Sequence, residues 1–213
     1  MMKAILFGAI GAVAETSDIQ RQSFNEAFKE ADLDWNWSRE AYQEMLTIMG
    51  GRNRIQQYAN AQNAQLTEQQ ITDLHRRKTE IFQEKISQGN LPIRAGVQEL
   101  IEEAKAKGIK VGFVTNTSNT TVDIIREKLG HPFDYVTDAA QVSENKPAPQ
   151  VYELALKALG IQAEECVAIE DTEKSAQAAI RAGIATVMTP GALTQDQRTT
   201  DALAIVSDLG ANA

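Results

Sequence analysis

The hydroxyl of Thr115, the amine of Lys146 and the adjacent carboxylates of Glu170 and Asp171 are the side chains of this sequence best suited to a phosphoryl group. A hydroxyl and backbone amides donate to phosphate oxygens. A lysine neutralises their charge, and paired carboxylates hold a magnesium ion. Thr115, Asn116 and Thr117 close the apolar run 111–114, and Glu170 and Asp171 close the run 167–169. Lys146 lies in the Lys146-Pro147-Ala148-Pro149 loop, and Gly8-Ala9-Ile10-Gly11-Ala12 follows the run Ala4–Phe7.

These positions matter because of the elements that carry them. The four runs 4–7, 111–114, 167–169 and 185–188, with weaker ones at 133–136 and 203–206, are short, apolar and bounded by Gly, Asp or Pro. Such runs read as strands buried on both faces. Between them lie helical spacings: Val97, Leu100, Ile101, Ala104; Val151, Leu154, Ala155, Ala158; and Ala176, Ala179, Ile180, Gly183. Gly108, Gly130, Gly160 and Gly183 stand where these helices should stop. The alternation predicts an α/β fold, a doubly wound parallel sheet whose ligands bind beyond the carboxyl ends of the strands. Residues 16–90 break the rhythm with helical stretches near 18–31, 39–48, 52–61 and 68–88, the last opened by a Thr67/Gln70 capping box. The expected organisation is a core domain of residues 1–15 plus 91–213 and an inserted helical cap of residues 16–90.

With these motifs in this order, the sequence resembles the haloacid dehalogenase superfamily over essentially its whole length. The resemblance is to the branch containing β-phosphoglucomutase and the xylulose-bisphosphate phosphatases, with a doubly wound (Rossmannoid) core and an α-helical cap. Val114-Thr115-Asn116 resembles the second family motif, Asn145-Lys146-Pro147-Ala148-Pro149 the third and Ile169-Glu170-Asp171-Thr172 the fourth. Gly50-Gly51-Arg52 and His75-Arg76-Arg77-Lys78-Thr79 resemble the cap of the same branch. The resemblance implies phosphate binding by Thr115, Asn116 and Lys146, metal binding by Glu170 and Asp171, cap contacts to substrate by Arg52 and Lys78, and a magnesium cofactor.

The first motif departs from the family. Where the pattern is Asp-x-Asp-Gly-Thr, this chain reads Gly8-Ala9-Ile10-Gly11-Ala12. Gly8 takes the place of the nucleophile and Ile10 that of the general acid/base, so no catalytic residue is carried over. Covalent catalysis needs an attacking carboxylate, and the leaving alkoxide needs a proton donor. The first carboxylate also ligates the metal in the family, so magnesium is expected to bind weakly or not at all. Glu15, seven residues on, cannot occupy the same point. Gln20 replaces a histidine of the branch, and Ser175 a glycine.

Structural readings compete with these. Gly8 and Gly11 read as a tight turn; the G-x-G-x-x-G pattern and a P-loop lysine are both absent. Lys146 and Asp171 can pair as buried ions, and Thr115 can cap a helix. Arg76, Arg77 and Lys78 can form a solvated face. Trp35 and Trp37 suit packing of the cap, and Cys166 suits an inert place in a strand.

Composition narrows the classes. The 213 residues are 43% apolar and 23% charged, with a net charge of −8. Such a chain is globular and repels nucleic-acid backbones. One cysteine and two histidines exclude a disulfide framework and a zinc site rich in those residues. The apolar stretch 4–14 is too short to span a membrane, and a cytoplasmic location is expected. The leading expectation is therefore a catalytically impaired relative of sugar-phosphate phosphatases and phosphoglucomutases, keeping at most a cleft for a small phosphorylated ligand. The alternatives are a magnesium-dependent phosphatase in which Glu170 or Asp171 activates water, and a regulatory pseudoenzyme acting through an unidentified protein partner.

Overall fold

A computed structural model of the chain describes residues 1–8, 10–89, 91–137 and 139–210. It divides into two compact units, Met1–Glu15 with Leu91–Ala213, and Thr16–Asn90.

The first unit opens with β1 (Ala4–Phe7), whose four side chains are all buried. The loop expected after it is instead a short helix, α1 (Ile10–Val13). Ala14 N–H donates to the Ile10 carbonyl at 2.7 Å, and Ala12, Val13 and Ala14 are fully buried. Burial of that small apolar run favours a turn of helix over an open loop. Ala9 lies outside the described residues. Ala14 pairs with Ile93 in an isolated antiparallel bridge, and Glu15 N–H donates to Pro92 O at 2.9 Å. These bonds join the two chain segments of this unit.

The second unit consists of α2 (Ser17–Glu30), α3 (Arg39–Met45), α4 (Gly51–Ala61) and α5 (Glu68–Ser87). The capping box of Thr67 and Gln70 is present at the start of α5. Ile71, Leu74, Lys78, Ile81 and Phe82 form the buried stripe of that helix, three or four residues apart as an amphipathic helix requires. Phe24, Phe28, Trp35, Trp37, Tyr42 and Tyr58 pack ring against ring at 4.7–6.0 Å. The third helix ends at Met45, earlier than its periodicity predicts. Arg54 Nε takes the freed carbonyls of Met45 and Ile48 at 3.0 and 2.9 Å, which satisfies the unwound backbone.

The first unit resumes with α6 (Val97–Ala106), β2 (Lys110–Phe113), α7 (Asn119–Lys128), β3 (Tyr135–Val136), α8 (Gln150–Leu159), β4 (Cys166–Glu170), α9 (Glu173–Arg181), β5 (Ala185–Met188) and β6 (Ala204–Ile205). All neighbouring strands are parallel, in the order β3-β2-β1-β4-β5-β6. The doubly wound sheet is the expected one. The two weaker runs yield strands of only two residues, at opposite edges, where fewer neighbours bury them. Gly160 ends α8 in the left-handed conformation, at φ 67°. The buried stripe of α8 is Val151, Tyr152, Ala155 and Leu159. Leu154 is only partly buried and Ala158 is exposed. The helix is thus rotated from its expected face, and Tyr152 points inward.

Candidate functional site

The strand order places β1 at the centre, with the chain winding one way through β2 and the other through β4. Ligand crevices form at such a switch point. Register brings the strand ends level: Phe7 pairs with Phe113 on one side and Ile169 on the other. Gly8 N–H donates to Ile169 O at 2.9 Å, and Val114 N–H to Phe7 O at 2.7 Å. Gly8, Val114 and Glu170 therefore share one edge.

Lys146 and Glu170 meet there. The Lys146 ammonium lies 2.6 Å from Glu170 Oε1, with both side chains almost completely buried. It also donates to Val114 O at 3.2 Å and to Gly8 O. Tyr152, fully buried, donates its hydroxyl to the same Glu170 Oε1 at 2.6 Å, and its ring centroid lies 5.0 Å from the ammonium. Burial, and then the Glu170 carboxylate, raise the Tyr152 phenol well above its ordinary range. The hydroxyl is therefore a donor and not an anionic nucleophile. Lys146 pairs with Glu170 and not with Asp171. Glu170 is the last residue of β4 and turns toward Gly8, whereas Asp171 lies over Gly11, as successive residues of an extended chain face opposite ways.

Neither glycine has room for a side chain. A Cβ at Gly8 would stand closer than 3.0 Å to the Tyr152 hydroxyl and the Glu170 carboxylate. A Cβ at Gly11 would collide likewise with the carboxylate of Asp171. Burial, followed by repulsion from Glu170, pushes the Asp171 carboxyl up to about 7. Glu170 Oε2 and Asp171 Oδ1 are buried oxygens without a hydrogen-bond partner.

The remaining sequence candidates fall in three places. Thr115 is buried one residue past Val114, and its Oγ1 accepts from Thr117 N–H at 3.2 Å; Ser118, not Thr115, is the residue before α7. Asn116 Nδ2 donates to Asn145 Oδ1 at 3.4 Å, while its own Oδ1 is buried and unpartnered. Glu15 is held by the loop after β5, accepting from Ala192 N–H at 2.7 Å, and does not stand in for a carboxylate at position 8. Arg52 and Lys78 belong to the other unit. Arg52 is exposed in the first turn of α4. Lys78 is buried, hydrogen-bonded to Gln20 Oε1, with its ammonium 4.6 and 5.2 Å from the ring centroids of Phe24 and Phe82. Burial first, and Arg54 second, bring its amine down to about 7. Arg76 and Arg77 make exposed ion pairs with Asp73, Glu80, Glu30 and Glu84. These two form a solvated face, but Lys78, expected on the same face, is turned into the apolar stripe of α5 and buried. Cys166 is buried, its thiol pushed up to about 11 by desolvation, as an inert packing residue should be.

Sequence reasoning missed Tyr152 and Arg94. Arg94 donates to the carbonyls of Gly11, Thr189, Pro190 and Ser207 and to Thr189 Oγ1, tying α1 to the segment after β5. An arginine just after the second unit carries no signal of that role in sequence. Tyr152 was hidden by a helical period drawn through its neighbours.

The donor set is short for magnesium. Two consecutive carboxylates contribute, one oxygen of Glu170 is already bound by Lys146 and Tyr152, and positions 8 and 10 carry none. Among the described residues no group of three or more His, Cys, Asp or Glu side chains is placed to hold a metal ion. The two unpartnered oxygens accept charge, but they do not complete the near-octahedral shell that magnesium demands.

Residues 2–183 match the model of the haloacid dehalogenase-like hydrolase family. The chain is 39% identical over 202 residues to the protein CbbY of Cereibacter sphaeroides, covering 92% of this chain and 88% of that one. It also resembles the crystal structure of a point mutant of CbbY from Rhodobacter sphaeroides in complex with xylulose-(1,5)bisphosphate, with a TM-score of 0.90 and 35% identity, over 99% of this chain and 96% of that one. β-Phosphoglucomutase from Clostridium difficile shares the fold, with a TM-score of 0.78 at 18% identity over 98% of this chain and 92% of that one.

Proposed function

The chain belongs to the haloacid dehalogenase-like hydrolase family, and we propose that it is a sugar-phosphate phosphatase relative whose own hydrolytic chemistry is impaired. The observation that carries this reading is the end of β1: Gly8 and Ile10 stand where the family pattern has its two carboxylates. Without them no residue forms an aspartyl-phosphate and none protonates the leaving oxygen. The ligand class is a small phosphorylated sugar, because CbbY from Rhodobacter sphaeroides has been crystallised with phosphate and with xylulose-(1,5)bisphosphate. Thr115 and Asn116 supply polar groups for a phosphate. Magnesium, which the family resemblance implies, is held weakly for lack of ligands. No described helix is long and apolar enough to cross a membrane. A panel of sugar phosphates, xylulose bisphosphate included, assayed with magnesium should give no turnover above background. Turnover that a cleft substitution abolishes would refute this reading.

A second reading has one observation in its favour. Asp171 keeps an unpartnered Oδ1 and a carboxyl near 7, the range in which a general base takes a proton from water. Direct attack by such a water needs no residue at position 8, although it leaves the departing oxygen without a proton donor. If the wild type proves active, Asp171→Asn should abolish turnover on this reading. Unchanged activity in that variant would exclude it.

A further inference from the structure

The unoccupied place at position 8 is not empty space. The Tyr152 hydroxyl and the Glu170 carboxylate both fall within 3.0 Å of where a Cβ at Gly8 would sit. Both groups are fixed by the same atom, Glu170 Oε1, which accepts from Tyr152 at 2.6 Å and from Lys146 at 2.6 Å. Lys146 closes the circle by donating to the Gly8 carbonyl and to Val114 O. Tyr152, Lys146, Glu170 and Val114 are all at least nine-tenths buried, and Gly8 is buried with them.

We infer that Tyr152 is a positioning residue that locks the site in a form in which any side chain at position 8 must displace the Tyr152 hydroxyl and the Glu170 carboxylate. Its hydroxyl takes part of the space directly. It also holds the Glu170 carboxylate over Gly8, so that Lys146 stays bound within the lock. Lys146 and Glu170 alone do not account for this arrangement, because one donor leaves a carboxylate free to rotate about its terminal bond. Two donors converging on one oxygen fix its position. The glycine at position 8 is therefore required by its surroundings. The backbone there does not require it, since Gly8 is not among the glycines with positive φ. This inference rests in part on the reading of an impaired enzyme, and its first test is independent of that reading.

The first test is a double-mutant cycle on the full chain, Gly8→Ala against Tyr152→Phe, followed by thermal unfolding. Overpacking a dense polar site should lower the midpoint of Gly8→Ala by roughly 5–10 °C. In the Tyr152→Phe background the same alanine should cost less than half of that, because the hydroxyl is gone and Glu170 has lost one of its two restraints. If Gly8→Ala is insoluble while the pair is soluble, the inference is equally supported. An equal alanine penalty in both backgrounds, or two equally insoluble variants, would overturn it.

The second test concerns chemistry. The pair Gly8→Asp and Ile10→Asp is compared with the same pair carrying Tyr152→Phe, using p-nitrophenyl phosphate and magnesium. The lock predicts at least about tenfold higher turnover for the triple variant, as the aspartate at position 8 needs the space that the Tyr152 hydroxyl holds. Equal turnover in the two would remove Tyr152 from the account while leaving the impaired wild type as proposed. Turnover by the wild type would instead refute the impaired reading, and the stability cycle would still decide the role of Tyr152.

Discussion

Replacing Lys146 by methionine would leave the Glu170 carboxylate fully buried without its cation, which typically costs about 3–5 kcal/mol. Urea unfolding of Lys146→Met should show a loss of that order. The double variant Lys146→Met with Glu170→Leu should recover most of it, because the uncompensated charge goes with the carboxylate. If the double variant is no better than the single, the pair is not the source of the loss. Gly11→Ala tests the neighbouring contact. Its new methyl group would meet the Asp171 carboxylate, so a loss of about 1–3 kcal/mol is expected, measured in the same way. Lys146, Glu170 and Asp171 were legible in the sequence because each follows a recognisable run and carries the right group. The choice of Glu170 over Asp171 as partner was not, since it depends on which residue still belongs to β4. Tyr152 was illegible for a related reason: its place in the core is set by how α8 rolls on the sheet, and two helical faces fit the same sequence.

At the scale of the element, α5 carries an ionisable group in its apolar stripe. Lys78 has an amine near 7 in the folded chain and, by ordinary lysine behaviour, about 10.4 in the unfolded one. Between those values the unfolded state binds more protons, so stability rises with pH across the window and the penalty is largest below pH 7. Lys78→Met should therefore stabilise the protein at pH 6 by an amount on the order of a few kcal/mol, and the advantage should shrink from pH 7 toward pH 10. A pH-independent difference would show that the amine is not desolvated in solution. The start of the same helix gives a separate expectation. Thr67→Ala removes one half of the capping box and should cost about 1 kcal/mol, read as a lower midpoint in chemical denaturation. Helices of this unit were legible because their period and caps are local properties. The early end of α3 was not, because Arg54, nine residues past Met45, decides it.

At the scale of the whole molecule, the alternation of apolar runs and helical spacings made the parallel sheet legible, while the two-residue length of β3 and β6 follows from their place at its edges, which no local pattern reports. The same topology brings Gly8, Val114 and Glu170 to one edge, with Lys146 bonded among them, and on the proposed reading the missing carboxylates at positions 8 and 10 weaken metal binding there. A ligand that binds only the folded state stabilises it by RT ln(1 + [L]/Kd), so the response of unfolding to magnesium measures the affinity of that edge. With Glu170 partly occupied by Lys146 and Tyr152, and with no carboxylate at positions 8 or 10, a dissociation constant of about 10 mM or weaker is expected. At about 10 mM magnesium that gives roughly 0.4 kcal/mol, a thermal shift of about 1–2 °C for a chain of this size. A site with a dissociation constant near 10 μM would give about 4 kcal/mol and a shift on the order of 10 °C under the same conditions. Differential scanning calorimetry with magnesium, against a calcium and a sodium control, separates the two cases. A shift of the larger size, specific to magnesium, would mean that Asp171 and Glu170 recruit further oxygen ligands, and the second reading of the function would then gain the metal it lacks.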